Sequence, residues 1–350
     1  MTRIAVEKLT ALIVRKLVLA GLSAEHAGMV AASLVHADAR GVHSHGALRV
    51  EYYAERISKG GTNPAPRFMV ERRAPAAAVF DGDNGAGHVA AFEAMEVAIE
   101  IAREQGVAAV GVRRIGHSGA LSFFVEQAAR QGLVALSMCQ SDPMAVPYGG
   151  AEPYYGTNPI AFAAPGEGDD RMMLDMATTV QAWGKALNAR MRGEAIPPDW
   201  AVDASGAPTT DADAVRALLP IAGPKGYGLM MMVDVLAGML LGLPFGKHVS
   251  SMYHDLSAGR ELGQLHLVID PAAFTDARAF RSRVSQAMRE LSASTPAAGV
   301  ERVLYPGEDC VLRERESKRL GVEVDDAVLA YLESEVIHRN AYAGKDPFAR

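Results

Sequence analysis

The sequence predicts an α/β protein: a central-sheet domain joined to a helical subdomain built from the N- and C-terminal helices. Three observations lead there. Residues 1–60 carry helical periodicity alone. From Ala76 onward, short apolar runs alternate with amphipathic ones, the pattern of a sheet covered by helices. The N-terminal helices are too small a set to close a core alone, so the late helices are expected to complete it.

The elements follow in order. Leu9, Leu12, Ile13 and Leu17 share one face of a first helix, stopped at Gly21. Ser23 caps a second helix with Ala27, Val30, Ala31, Leu34 and Val35 inward, ended by Gly41. Ser44 is placed to cap a third helix through Leu48 and Tyr52 to Gly60-Gly61. Strands are expected at Ala76–Phe80, Val107–Val112, Leu133–Cys139, Ile160–Ala164, Met172–Leu174 and Gln264–Ile269. Helices are expected at His88–Glu104, Ala120–Arg130, Asp276–Leu291 and Asp325–Ile337. The stretch from Arg190 to Thr210 reads as an exposed excursion. Residues 1–75, about 223–250 and 311–350 are grouped as the helical part. Residues 76–222 and about 260–310 are grouped as the α/β part.

The chain has 350 residues, 49% apolar and 22% charged, so it is globular and long enough for about two domains. Aromatics are only 6%, which leaves the core to Ala, Val, Leu and 16 Met. The formal net charge of −6 offers no basic surplus to a phosphate backbone, so nucleic acid is not expected as a partner. Two cysteines, Cys139 and Cys310, make no disulfide framework and are expected as reduced thiols. Residues Met1–Lys8 show no apolar signal core. The apolar run Gly228–Phe245 is interrupted by Asp234, Gly238, Gly242 and Pro244, and falls short of the roughly 20 residues a bilayer needs. It is expected as a helix buried all round, in the protein or at a subunit interface. No membrane partner and a cytoplasmic location are expected.

Several polar constellations are candidates for chemistry. Gly85-Ala86-Gly87-His88-Val89-Ala90 has the G-x-G-x-x-A form between a strand and a helix. Asp81 and Asp83 before it would repel a pyrophosphate, so a structural turn is preferred. In Arg40–Arg49, His43 and His45, with His36 and Asp38 nearby, suit a metal, but no further ligands stand at familiar spacing, and no metal is expected. A helix start at Ser44 with Arg49 one turn on would hold a carboxylate, with His45 beside it. His117, in Gly116-His117-Ser118-Gly119, follows a buried strand among small residues and titrates near neutrality, so it suits proton transfer from an alcohol. Ser141, Asp142 and Asp175-Met176-Ala177 follow strand ends, where α/β sheets place ligands. Lys225-Gly226, at the start of the apolar helix, suits a phosphate.

From Arg40 through almost the whole chain, the sequence resembles the malate/lactate dehydrogenase type 2 family. The resemblance is carried by Arg40–Gly61, Gly116–Gly119, Ser137–Ala164, Asp175–Ala186 and Gly223–Gly246. It implies a cofactor domain that is not a Rossmann fold, NAD as cofactor, and a homo-oligomer, at least a dimer. It implies oxidation of a small carboxylate, (S)-ureidoglycolate to oxalurate in allantoin degradation. It further implies His117 as proton acceptor; His45 and Ser44 are expected beside it, and Arg49 and Tyr53 on the substrate. It sets Ser141, Asp175, Met176, Ala177, Lys225, Pro306, Gly307 and Glu308 around NAD, and Asp142, at a strand end, and Gly226, beside Lys225, are expected with them. Some relatives give the acid–base role to the position of His45. The rival activities are malate, lactate or cyclic-imine carboxylate oxidoreduction, and, from another class, metal-dependent hydrolysis at His43 and His45.

Overall fold

A computed structural model describes residues 1–342 and 344. The part of the expected C-terminal helical segment at 343 and 345–350 lies outside the described residues. The chain begins with β1 (Thr2–Ile4), α1 (Val6–Ala20) and α2 (Ala24–Ala39). Leu9, Ile13 and Leu17 of α1 are fully buried, worth about 1.5–3 kcal/mol each. The helix stops at Gly21, where φ is 120°. Ser23 caps α2 by accepting from the backbone N–H of His26.

The third helix starts later than expected. His43–His45 and Ala47–Arg49 form two short 3₁₀ turns, and α3 runs only over Val50–Ser58. Ser44 is not its cap; Arg49 stands at the N-cap position, and its side chain makes no capping hydrogen bond. The cause is Asp38. Its carboxylate accepts from the Ala47 backbone N–H at 2.6 Å and pairs with His43 at 3.0 Å, which holds this segment in tight turns. A Cβ at Gly46 would lie 2.0 Å from the same carboxylate, so glycine is required there.

Seven strands form the central sheet, in the order β2-β3-β4-β10-β5-β6-β7. They are β2 (Met69–Ala74), β3 (Ala77–Asp81), β4 (Val107–Ile115), β5 (Val134–Cys139), β6 (Ile160–Pro165), β7 (Arg171–Met176) and β10 (Leu262–Ile269). Every neighbouring pair is antiparallel except β3 and β4. The sheet is therefore mixed, between helices on both faces. On one face, α4 (Gly87–Gln105) and α5 (Ser122–Arg130) bring Ala90, Ala94, Ala98, Phe124 and Ala128 against Val110, Val112, Ala135 and Val268. This alanine-rich contact lets helix and sheet approach closely, as the low aromatic content implies. Expected strands and helices recur here within one to three residues; β2, all exposed, is an edge strand that its charged sequence hides.

Three short elements fill the excursion after β7: α6 (Trp183–Arg192) and a pair of two-residue strands, β8 (Ala201–Val202) and β9 (Ala217–Leu218). Then α7 (Pro224–Ala237) lies on the other face of the sheet, with Val233 and Ala237 against Met138 and Leu265. Two expectations change here. Segment 223–250 does not pack as a whole with the N-terminal helices, because α7 covers β5 and β10. Nor is its apolar run buried all round: Met231, Val235, Met239 and Leu240 are 47%, 40%, 40% and 64% exposed. The remaining elements are α8 (Ala277–Ser292), α9 (Glu308–Leu320), β11 (Val322–Val324) and α10 (Asp326–Glu333). β1 pairs antiparallel with β11, and Val322, Val324, Tyr331 and Leu332 join the core of α1 and α2. Lys16, fully buried in α1, donates to the carbonyls of Ser334 and Val336 and ties the late chain to the early helices.

Candidate functional site

One end of the sheet gathers the candidate residues. Ile115 at the end of β4 lies opposite Leu262, and Cys139 at the end of β5 opposite Gln264. Met138 faces Ile160, which in turn faces Met176. His117, Ser141 and Asp175-Met176-Ala177 therefore emerge from the same edge although far apart in sequence.

His117 sits just past β4. Its Nδ1 is 2.7 Å from the hydroxyl of Tyr53 in α3. His45 stacks on it, with ring centroids 5.5 Å apart and planes 19° apart. His88, in the first turn of α4, closes the far side with centroids 6.5 Å away. Ser44 Oγ bonds Nδ1 of His45 at 3.0 Å. Arg49 donates from Nε to the Ser44 carbonyl at 2.7 Å, and Tyr53 and Tyr253 stand beside its guanidinium. The structure thus brings His117, His45, Ser44, Arg49 and Tyr53 into one cluster.

The electrostatics favour neutral imidazoles. Burial, then the neighbouring His45, Arg49, His88 and Arg260, hold His117 well below the usual histidine value. Burial and Arg49 lower His45 to about 4, and burial and His45 lower His88 to about 3. A neutral imidazole is the form that accepts a proton.

The G-x-G-x-x-A turn has a structural use. Asp81 pairs with Arg114 at 2.6 Å and with Arg113 at 3.1 Å, so the acidic and basic residues flanking the motif satisfy each other. A Cβ at Gly87 would lie 2.3 Å from the Gly116 carbonyl oxygen and 2.7 Å from that of His117. That glycine lets α4 seat the loop that carries His117. His43 and His45 turn to different partners: His43 to Asp38, His45 to Ser44 and His117. His36 packs against Glu126 instead, 3.5 Å away. Among the described residues, no group of three or more His, Cys, Asp or Glu is placed to hold a metal ion.

The expected NAD residues divide by what they touch. Ser141 bonds the Thr157 hydroxyl at 3.1 Å, on the sheet edge. Asp175 is exposed, and its carboxylate accepts from the backbone N–H of Ser122 at 2.8 Å. Lys225 is exposed in the first turn of α7, with Gly226 buried behind it against the Ile221 carbonyl. Gly307, with φ 85°, lies against β7: a Cβ there would lie 2.6 Å from the Met173 carbonyl oxygen. Pro306 is exposed beside it, while the Glu308 carboxylate is engaged by Ser292 and Arg302. Asp142 departs from the set. Its carboxylate is buried in an ion pair with Arg260 at 2.6 Å and also accepts from the Met252 backbone N–H, so it braces the loop before β10. Sequence reasoning missed Tyr253, Arg260, and the buried chain from Ser118 through Gln264 to Ser137. These pairs join residues more than a hundred positions apart, which no local spacing signals. His88 stood inside the glycine motif as a filler position.

The fold and this cluster define a class. The chain matches the malate/L-lactate dehydrogenase family over residues 4–333, and it belongs to that family. The ureidoglycolate dehydrogenase (NAD(+)) of Escherichia coli O157:H7 is 61% identical over 348 residues, 99% of this chain and 100% of that one. The enzyme of the same description from Escherichia coli strain K12 is 60% identical over the same length and shares. Among solved structures, the sulfolactate dehydrogenase of Methanocaldococcus jannaschii superposes with a TM-score of 0.89 at 34% identity, covering 95% of this chain and 96% of that one.

Proposed function

We propose that the protein oxidises (S)-ureidoglycolate to oxalurate with NAD⁺, in allantoin degradation. The substrate assignment is supported by the full-length identity of 61% to a ureidoglycolate dehydrogenase (NAD(+)). The chemistry rests on one observation: His117 is hydrogen-bonded to Tyr53 and stacked on His45 at the sheet edge.

In this reading His117 takes the proton of the substrate hydroxyl. Ser44 and His45 orient that hydroxyl. Arg49 pairs with the carboxylate; its guanidinium is carried on a turn braced by Asp38. Ser141, Asp175-Met176-Ala177, Lys225-Gly226 and the backbone of Pro306-Gly307-Glu308 hold NAD. Their chemistry fits a dinucleotide: a hydroxyl, a carboxylate for ribose, a lysine at a helix start for phosphate, and a glycine pressed onto a strand. When bound, the nicotinamide supplies the hydride acceptor. Asp142 is left out of that set and given a bracing role.

The division into two parts is proposed in amended form. Early and late segments make the helical part, α7 belongs with the sheet, and the cofactor domain departs from a parallel Rossmann arrangement. The exposed apolar side of α7 supports a homo-oligomer, at least a dimer. A cytoplasmic location is consistent with the metabolic role; no helix among the described residues is long and apolar enough to cross a membrane. The test is NADH formation with a panel of acids, using NAD⁺ and NADP⁺ separately. Ureidoglycolate with NAD⁺ should give the highest kcat/KM. Preference for malate, lactate or a cyclic-imine carboxylate would replace the substrate and keep the reaction class.

A further inference from the structure

We propose that Tyr53 is a positioning residue for His117: its phenol oxygen accepts the imidazole Nδ1–H, which commits the Nε2 lone pair to the substrate hydroxyl. This rests on the reading of His117 as proton acceptor, and it moves Tyr53 from substrate binding to control of the base.

The geometry constrains Tyr53 tightly. It is 9% exposed, and its hydroxyl lies 2.7 Å from Nδ1. Tyr52 packs edge-on at 5.3 Å between centroids and His88 edge-on at 4.9 Å. The ring therefore cannot swing out to follow a substrate. Burial raises the Tyr53 phenol above its usual value, so it stays neutral across the working range. A neutral phenol can accept a proton donor while keeping its own hydrogen.

The surroundings explain why an acceptor is needed. The titratable and charged groups that face His117 are His45 and Arg49 from the turns, His88 from α4, Arg260 from the loop before β10, and Tyr53 from α3. The two arginines carry positive charge and the imidazoles none, so nothing in that set but Tyr53 offers an oxygen to an imidazolium. During oxidation the substrate O–H bond breaks as an Nε2–H bond forms. The electron pair of the substrate C–H bond leaves as hydride to the nicotinamide, and the carbon becomes a carbonyl. The positive charge then appears on His117, and the Tyr53 oxygen stabilises it through Nδ1–H. The same hydrogen bond selects the reactive tautomer beforehand.

The experiment has two readouts. In ligand-free protein carrying ¹⁵N-labelled histidine, His117 should show a protonated Nδ1 and an unprotonated Nε2. In Tyr53→Phe that tautomer should lose its dominance. With ureidoglycolate and NAD⁺, Tyr53→Phe should lower kcat about 10–100-fold, the worth of a hydrogen bond to a charged group, with little change in KM. The acidic limb of its kcat/KM profile should move to lower pH, since the imidazolium has lost its acceptor. An Nε2–H tautomer in the unsubstituted protein would overturn the proposal, even if Tyr53→Phe does not fold. So would a variant with raised KM, unchanged kcat and an unmoved acidic limb, which is the pattern of a substrate contact. Retained turnover in His117→Ala, beside the expected tautomer, would instead overturn the reading of His117 as base.

Discussion

His45 and His117 stack with centroids 5.5 Å apart and planes 19° apart, so two potential bases share one small space. Burial and then His45 hold His117 below the usual histidine value, while burial and Arg49 hold His45 there. Their partners separate their roles: Nδ1 of His117 meets a neutral phenol, while Nδ1 of His45 meets the Ser44 hydroxyl on the same turn.

His117→Ala is therefore expected to lower kcat by about 10²–10⁴-fold, the usual worth of a general base. His45→Ala should cost less in kcat and show more in KM. Steady-state kinetics of both variants check this; a larger kcat loss in His45→Ala would exchange the roles.

Arg49→Lys should weaken carboxylate substrates by about 10–100-fold in kcat/KM, because a lysine cannot reproduce a bidentate fork. Binding of NAD⁺ alone, followed by fluorescence titration, should be unchanged. An unaltered KM for the acid would remove Arg49 from the substrate site.

The sequence pattern carried most of the fold but only part of the site. The amphipathic runs marked α1, α2, α4, α5 and α8 because each has one apolar face against a core. The start of α3 was misplaced because Ser44 has the chemistry of a cap, yet Asp38 captures the Ala47 N–H first. Ser44, His45 and Arg49 were legible as a group because they are adjacent in sequence. Their meeting with His117 was not derivable from spacing, since it depends on α3 packing beside α4 and on Gly87 admitting the loop after β4. Asp142 was drawn into the cofactor set by its place after a strand; its partner Arg260 lies 118 residues away.

Gly87→Ala tests that packing argument. The added methyl would meet the Gly116 and His117 carbonyls, and the loop must shift. A stability loss of about 1–3 kcal/mol is expected in denaturant titration. kcat should also fall, though no reacting group is removed.

The Asp142–Arg260 pair is buried on both sides, with side chains 9% and 1% exposed. Arg260→Ala would strand the carboxylate. A loss of about 3–5 kcal/mol is expected, measurable as a lower denaturation midpoint. A near-neutral result would show that the pair does not brace the loop.

Burial holds five histidines below their usual value: His36 to about 3, His45 to about 4, His88 to about 3, His266 to about 4, and His117 by direction. Below an unfolded value of about 6.5 the unfolded chain binds these protons and the folded one does not. This contribution to stability is complete above that pH and is lost as pH falls toward the folded values. Tm followed by calorimetry should be level from neutral to mildly alkaline pH and decline steadily below about 6.5. A Tm that rises between pH 7 and 5 would contradict neutral burial of the cluster.

The proposed reaction is oxidation of the carbinol of (S)-ureidoglycolate by this cluster, through His117. The most direct measurement is an incubation with (S)-ureidoglycolate and NAD⁺, in which oxalurate and NADH are quantified together for the unsubstituted protein and for His117→Ala. Equimolar oxalurate and NADH, nearly abolished in the variant, is the predicted result. No oxalurate from the folded protein at saturating NAD⁺, or equal yields from both proteins, would contradict it.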